Sequence, residues 1–400
     1  MKGSQTPWGI LTGVRPGKIV QRMLDAEEIL EPEIVERLQK DYAIRQDKAK
    51  LLAQIGLRHR QLLLPHGELK KKVSVYVGIP FCPTRCLYCS FPSYVLPQHR
   101  TDLELFLAAL ARDIAAAGDL LDSAGVRADT IYIGGGTPTS LGSGDFSQLL
   151  AMIQDRFANP SLREFTVEAG RPDTMDDDKL KAMKYYSVNR VSINPQTMQQ
   201  KTLKHIGRMH SVQDIIDVFG KLRSMGFPVI NMDLIAGLPG ETEQDMADTL
   251  EQLARLDPDN FTVHALAIKK GSRLKELAGR YPLPGPADTE AMVYRAAQYA
   301  ERMGMVPYYL YRQKYMTGNL ENVGYTKPEL ESLYNIYSIE ERQTIIGIGP
   351  AATTKFVAPN WRVENMYHAK DLKTYIATLP HYIRQREAGF RLWMSEPMVE

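Results

Sequence analysis

Between Val73 and Ile268 the chain alternates strand-like and helix-like runs six times, and this rhythm limits the fold more than any other feature. The strand candidates are VSVYVGI (73–79), TIYIGGG (130–136), EFTVEAG (164–170), RVSINPQ (190–196), VINMDLIAGLPG (229–240) and NFTVHALAI (260–268). β-Branched and aromatic residues dominate them. Between them lie amphipathic stretches such as LELFLAALARDIAAAGDLL and VQDIIDVFGKLRSMG, long enough to return the chain for a parallel neighbour. Six such units predict an α/β fold, with a partial (β/α)6 TIM-like barrel competing against an open doubly wound sheet. Polar residues decide for the barrel. The strands end in Cys82 to Cys89, GGGTPT, Glu168, Gln196, Asp233 and His264, and C-terminal strand ends of α/β barrels converge on one mouth.

Two regions flank this core. Residues 1–70 read as an N-terminal helical segment, with IVQRMLDAEEIL, PEIVERLQKDY and RQDKAKLLAQIGLRHRQLL repeating apolar residues at three and four, followed by the PHGELKKK linker. Residues 71–275 hold the barrel. Residues 276–400 lose the rhythm and read as an α+β region covering the substrate side, with helix-like EAMVYRAAQYAERMG, a tyrosine-rich stretch and IIGIGPAATTKF. That last run would bring a glycine turn back to the barrel mouth or simply close a loop.

The 400 residues carry a formal net charge of +2, too small a field to argue for nucleic acid. No apolar run approaches the roughly 20 residues that cross a bilayer, and membrane contact is not expected. The N-terminus lacks a signal-peptide series, so a cytoplasmic location is expected.

All three cysteines of the chain, Cys82, Cys86 and Cys89, fall within FCPTRCLYC. Three thiolates leave one position of a tetrahedral metal open. A structural zinc would need a fourth ligand, and His99, the nearest histidine downstream, lies beyond a proline-bearing loop. A [4Fe–4S] cube held by three cysteines exposes one iron to an outside ligand.

The spacing C-x-x-x-C-x-x-C after a strand, with Tyr88 before the last cysteine, resembles the radical S-adenosylmethionine (SAM) signature. VYVGIPFCPTRCLYCSF, IYIGGGTPT, VEAGRP, SINPQ followed by GRMH, and NMDLIAGLPGET resemble the oxygen-independent coproporphyrinogen III oxidase group over about residues 73–270. TPWGILTGVRPGK, EAGRPDT and YYLYRQKYMTGNLENVGY are similar to its HemZ-type members. The resemblance implies a [4Fe–4S] cluster on Cys82, Cys86 and Cys89, and SAM chelated to the open iron and cleaved to a 5′-deoxyadenosyl radical. It further implies SAM contacts from Tyr76, Gly135, Gly136, Thr137, Glu168, Gln196, Arg208 and Asp233. An external one-electron donor of the flavodoxin or ferredoxin kind is implied too, as is a tetrapyrrole substrate whose propionates become vinyl groups in haem biosynthesis. A haem- or tetrapyrrole-binding chaperone of the same family, or a radical enzyme on another substrate, is the alternative.

Departures from the family pattern bear on that choice. Family members show Y-x-H-x-P-F-C where this chain has Gly78, and the founding oxidase has a further cysteine where Ser90 and Phe91 follow Cys89. The chaperone motif H-N-x-x-Y-W would fall around Tyr334, Asn335 and Ile336, where no His-Asn pair occurs. For the substrate, Tyr308, Tyr309, Tyr311, Arg312, Lys314 and Tyr315 offer aromatic faces and cations in one stretch, though alternating aromatics also suit a core. His264 reads as a hydrogen-bonded barrel histidine.

Overall fold

The computed structural model describes residues 6–91, 93–96, 100–277 and 279–397; His99 lies outside them. Three amphipathic helices open the chain, α1 (Gly17–Ala26), α2 (Glu31–Tyr42) and α3 (Gln46–Leu62), which turn Val20, Ile34, Leu38, Leu52 and Ile55 into the interior. Each strand-like run then forms a strand. β1 (Lys72–Ile79), β2 (Arg127–Gly135), β3 (Glu164–Glu168), β4 (Arg190–Gln196), β5 (Val229–Ala236) and β6 (Asn260–Ala265) lie side by side in that order, all parallel.

The crossovers are helical: α4 (Arg100–Ser123), α5 (Ser143–Phe157), α6 (Asp177–Tyr185), α7 (Gln200–His205) with α8 (Val212–Ser224), and α9 (Glu243–Leu256). Their starts follow local chemistry. Ser211 and Thr242 each cap the amide three residues on while Asp214 and Asp245 bond back, which satisfies amides that a helix leaves free. Residues on the helix-facing side of the strands, such as Val75, Ile131, Phe165, Val191, Ile230 and Phe261, are essentially inaccessible. The six-unit partial barrel expected from the sequence is the fold, and it stays open, with antiparallel strands at both sheet edges.

After α10 (Arg273–Glu276) and α11 (Pro286–Arg302), β7 (Val306–Tyr311) and β8 (Asn322–Thr326) extend the sheet beyond β6, with β8 antiparallel to β6. Helix α12 (Leu333–Glu340) follows. IIGI, left open as a loop by the sequence, is β9 (Ile345–Ile348), which pairs in parallel with β1 on its other side. Ile345, Ile346 and Ile348 are buried there, and hiding them from water drives the run into the sheet. β10 (Thr353–Val357), β11 (Val363–Tyr367) and α13 (Leu372–Ser395) complete the chain, with α13 packed on α4. The turn after β9 presses on β1. Gly349 has φ +91°, and a Cβ there would lie 2.5 Å from the Gly78 carbonyl oxygen.

Side-chain bonds close the N-terminal strand ends, with a cavity of about 600 Å³ beside them that Glu164, Arg190 and Leu333 also line. Glu164 accepts from the Ser332 hydroxyl (2.9 Å) and the Leu333 amide (2.7 Å), and lies 3.6 Å from the Arg190 guanidinium. Arg190 also donates to Leu330 O (2.7 Å) and to Asn260. The segment before α12 is thereby stapled across β3, β4 and β6.

Candidate active site

The opposite ends of the same strands are built differently. The cysteine loop leaves β1 through Phe81–Cys82, a two-residue strand paired in parallel with Tyr94–Val95. Three separate segments then tether it. Leu87 N donates to Ile206 O (2.9 Å) and Thr84 Oγ1 to Gly207 O (3.0 Å). Leu274 N donates to Leu87 O (2.8 Å), Arg85 Nη2 to Gly271 O (2.5 Å) and Arg171 Nη1 to Thr84 Oγ1 (2.6 Å). Leu87, Ile206, Leu238 and Leu274 form a small apolar cluster beneath the loop.

Cys86 is buried and the other two thiols are partly exposed. Burial pushes the Cys82 and Cys89 thiols up, and the neighbouring thiols add to that effect. Donors already face them: Thr137 Oγ1 lies 3.6 Å from Cys82 Sγ, and Arg208 reaches Cys86. Gly136 lies against the loop, where a Cβ would come 2.5 Å from Phe81 O and 3.1 Å from Cys82 Sγ. Crowded thiols with hydrogen-bond donors beside them suit thiolates bridged by iron. Among the described residues no three Cys, His, Asp or Glu side chains gather tightly enough for a single metal ion. A cube has no such need, because each thiolate takes a different iron.

A cavity of about 450 Å³ opens beside the loop, lined by Tyr88, Cys89 and Ser90 on one side and Glu168, Gln196, Asp233 and His264 on the other. Glu168 ends β3 and accepts from the Gly135 amide, Tyr132 and Asn194 Nδ2 (3.3 Å). Burial, helped by the charge of Asp233, pushes its carboxyl up to about 7. Burial also works against the charge on Asp233, but hydrogen bonds from His264, Asn231 and Thr262 outweigh it and hold that carboxyl below its ordinary value. The two acids thus differ in charge near neutrality. A polar chain joins them: Asn194 accepts from Ser192 Oγ (2.7 Å), which accepts from Asn231 Nδ2 (2.7 Å), which also donates to Asp233 (2.9 Å). His264 Nε2 lies 3.6 Å from Asp233, and its Nδ1 is 3.2 Å from the Tyr311 hydroxyl.

Other candidates sit around this cavity. Gln196 follows Pro195 with φ +70°, a left-handed conformation that costs a non-glycine residue roughly 1–3 kcal/mol and aims its side chain at the cavity. Arg208 is buried and braces the wall, donating to Asn194 O (2.5 Å), Gly170 O (3.2 Å) and Tyr88 OH (3.3 Å). Gly135, with φ +109°, lies over the Ile79 backbone, while the Gly136 and Thr137 amides donate to Ile79 O and Phe81 O at 2.7 Å each. Tyr76 stands deeper in the barrel, stacked at 6.1 Å on Tyr132 and at 6.3 Å on Tyr334.

Two sequence readings fare differently on the tyrosine-rich stretch. Tyr308 and Tyr309 are core residues, and Tyr315 is 78% exposed. Arg312, a candidate carboxylate fork, is already committed: it donates to Leu11 O (2.8 Å) and Asn319 Oδ1 (2.5 Å) and lies over the Trp8 ring. Asn194, Ser192 and Asn231 escaped the sequence reading. Asn194 precedes Gln196 by two positions and Asn231 precedes Asp233 by two, so strand alternation already put each pair on one face.

Comparison with known proteins agrees with this geometry. Residues 76–253 match the Radical SAM superfamily. The chain is 40% identical to the oxygen-independent coproporphyrinogen-III oxidase-like protein HemZ of Bacillus subtilis, over 96% of this chain and 77% of that protein. It is 36% identical to the haem chaperone HemW of the same organism, over 55% of this chain and 58% of that one. Its fold is similar to that of coproporphyrinogen III oxidase (HemN) from Escherichia coli, with a TM-score of 0.64 and 22% identity over 82% of this chain and 72% of the other. The cysteine loop at the C-terminal mouth of a six-unit parallel barrel, the family match and the similarity to HemZ point the same way: the chain belongs to the radical SAM superfamily, whose cofactors are a [4Fe–4S] cluster and SAM, and within it to the HemZ-type coproporphyrinogen-III oxidase-like family.

Proposed function

We propose that this chain is an oxidoreductase that converts propionate side chains of coproporphyrinogen III to vinyl groups. The observation that carries this reading is the cavity shared by the cysteine loop and the Glu168, Gln196 and Asp233 side chains, in a chain that follows HemZ over nearly its whole length. When bound, the cluster and SAM would supply an adenosyl radical able to take one hydrogen atom from the propionate carbon attached to the tetrapyrrole ring. Loss of carbon dioxide and of one electron to an acceptor then leaves the vinyl group.

The chain's own residues divide the remaining work. Cys82, Cys86 and Cys89 would hold the cluster. Glu168 and Asp233 would face the cationic groups of SAM, with Gln196 fixing its orientation, and Gly135, Gly136 and Thr137 would form the shelf against which it lies. Arg208 positions the loop through Tyr88 and Cys86. Tyr76, one layer deeper, would support that floor with Tyr132. The apolar side chains of Ile235, Ala265 and Leu266 on the cavity wall would limit water around a bound radical, which protects it from side reactions.

A chaperone that binds haem or another tetrapyrrole is the second reading, favoured by the similarity to HemW. Against it, the residues at the chaperone's haem-motif position are internal here. Tyr334 stacks on Tyr132 at 4.5 Å and Asn335 Nδ2 donates to Tyr308 OH at 3.2 Å. Anaerobic incubation of reconstituted, reduced protein with SAM and coproporphyrinogen III tests the proposal. Carbon dioxide with vinyl product is expected; SAM cleavage without change in the tetrapyrrole, together with saturable haem binding by absorbance, would favour the chaperone.

A further inference from the structure

In the reading above an electron enters at the cysteine loop, and the surface around that loop is dense in cations and poor in carboxylates. The loop (83–91), the turn after α7 (204–210) and the segment 269–277 converge on the apolar cluster of Leu87, Ile206 and Leu274. Together these segments carry seven Lys or Arg against one carboxylate, Glu276, in a chain whose totals are 49 and 47. Arg85, Lys204, Lys270, Arg273 and Lys275 are exposed, and no ion pair ties any of them to a carboxylate among the described residues. Met209, 78% exposed, adds an apolar point on the same turn. Elsewhere the exposed cations are commonly paired, as Arg37 is with Glu27 and Lys221 with Asp177.

Resting on the radical SAM reading of this site, we propose that this cationic face is the docking surface for an acidic one-electron carrier protein. Charge complementarity would steer the carrier to the one place where its electron has the shortest path. The carrier is oxidised by one electron and the cluster reduced by one, with no proton or atom exchanged. The backbone bonds of Leu274 to Leu87 and of Arg85 to Gly271 tie the docking segment directly to the cysteine loop.

The test compares two electron sources, a pre-reduced acidic flavodoxin and titanium(III) citrate, by the rate of 5′-deoxyadenosine formation. The triple variant K270E/R273E/K275E should lose about tenfold in flavodoxin-driven rate at low ionic strength and nothing with titanium(III). Raising the salt should lower the wild-type flavodoxin rate toward that of the variant. A control triple on α13, K373E/R384E/R391E, should match wild type. Equal flavodoxin-driven rates in wild type and variant would overturn the proposal, as would a parallel loss with titanium(III), which would mark steering of an anionic substrate instead. Docking is also read directly, as salt-sensitive binding of flavodoxin to the protein and its loss in the variant. A chain that binds flavodoxin in this way yet cleaves no SAM would refute the functional reading and leave the docking surface standing.

Discussion

Glu164 and Glu168 stand at the two ends of one strand, β3, and the contrast between them describes the whole barrel. Glu164 is 4% exposed and fully engaged by Ser332, Leu333, Thr166 and Arg190. Its bonds tie the segment before α12 to the barrel. Glu168 lines a cavity, faces a second carboxylate and holds its proton up to about pH 7. One end of the strand spends its carboxylate on holding distant segments together; the other turns its carboxylate toward a second one across a cavity, as a site awaiting a cationic partner requires.

The contrast can be broken in order of effect. Replacing the half-exposed Cys89 by Ser should abolish the cubane signal in electron paramagnetic resonance and reduce 5′-deoxyadenosine formation to background, while the unfolding midpoint of cluster-free protein moves by less than about 0.5 kcal/mol. At the Glu164 end the pattern should reverse. E164A strands the Arg190 charge and frees Ser332 and Leu333, so it should cost about 3–5 kcal/mol in urea unfolding, and a retained cubane signal in what stays folded would confirm the division.

Glu168 should make stability depend on pH. From pH 4.5 to about 7 the unfolded chain releases this proton while the folded chain keeps it, so the native state loses stability as pH rises. E168Q, which cannot titrate, should therefore gain on wild type between pH 5 and pH 8, by about 1–3 kcal/mol in chemical unfolding, since the cavity gives partial access to solvent. A pH-independent difference would show that the folded protein does not hold the Glu168 proton. The smallest effect belongs to Y311F, which removes the hydroxyl beside His264 Nδ1 and should cost about 1 kcal/mol, with a changed tautomer signature in nitrogen-15 spectra of His264.

Much of this was legible beforehand, because the six barrel strands are marked by local composition and end in polar residues that chain direction alone brings to one mouth. The strand on the other side of β1 was not. β9 is only four residues long, and its partner β1 lies some 270 positions away, so nothing local distinguishes it from a loop. Arg312 misled for the same reason: what engages it, Leu11 O and the Trp8 ring, comes from the opposite end of the chain. The left-handed Gln196 left no compositional mark either, since glutamine rarely adopts that conformation.

The close contact between Gly78 and the turn at Gly349 limits what side chain position 78 can hold. Position 78 is where the family pattern carries histidine, yet a Cβ there would lie 3.1 Å from the Pro350 carbonyl oxygen and 3.3 Å from the Tyr76 ring. A G78H substitution would need the Pro350 carbonyl and the Tyr76 ring to yield by a few tenths of an ångström, so the side chain that position 78 can hold is set by the turn between β9 and β10, some 270 residues away.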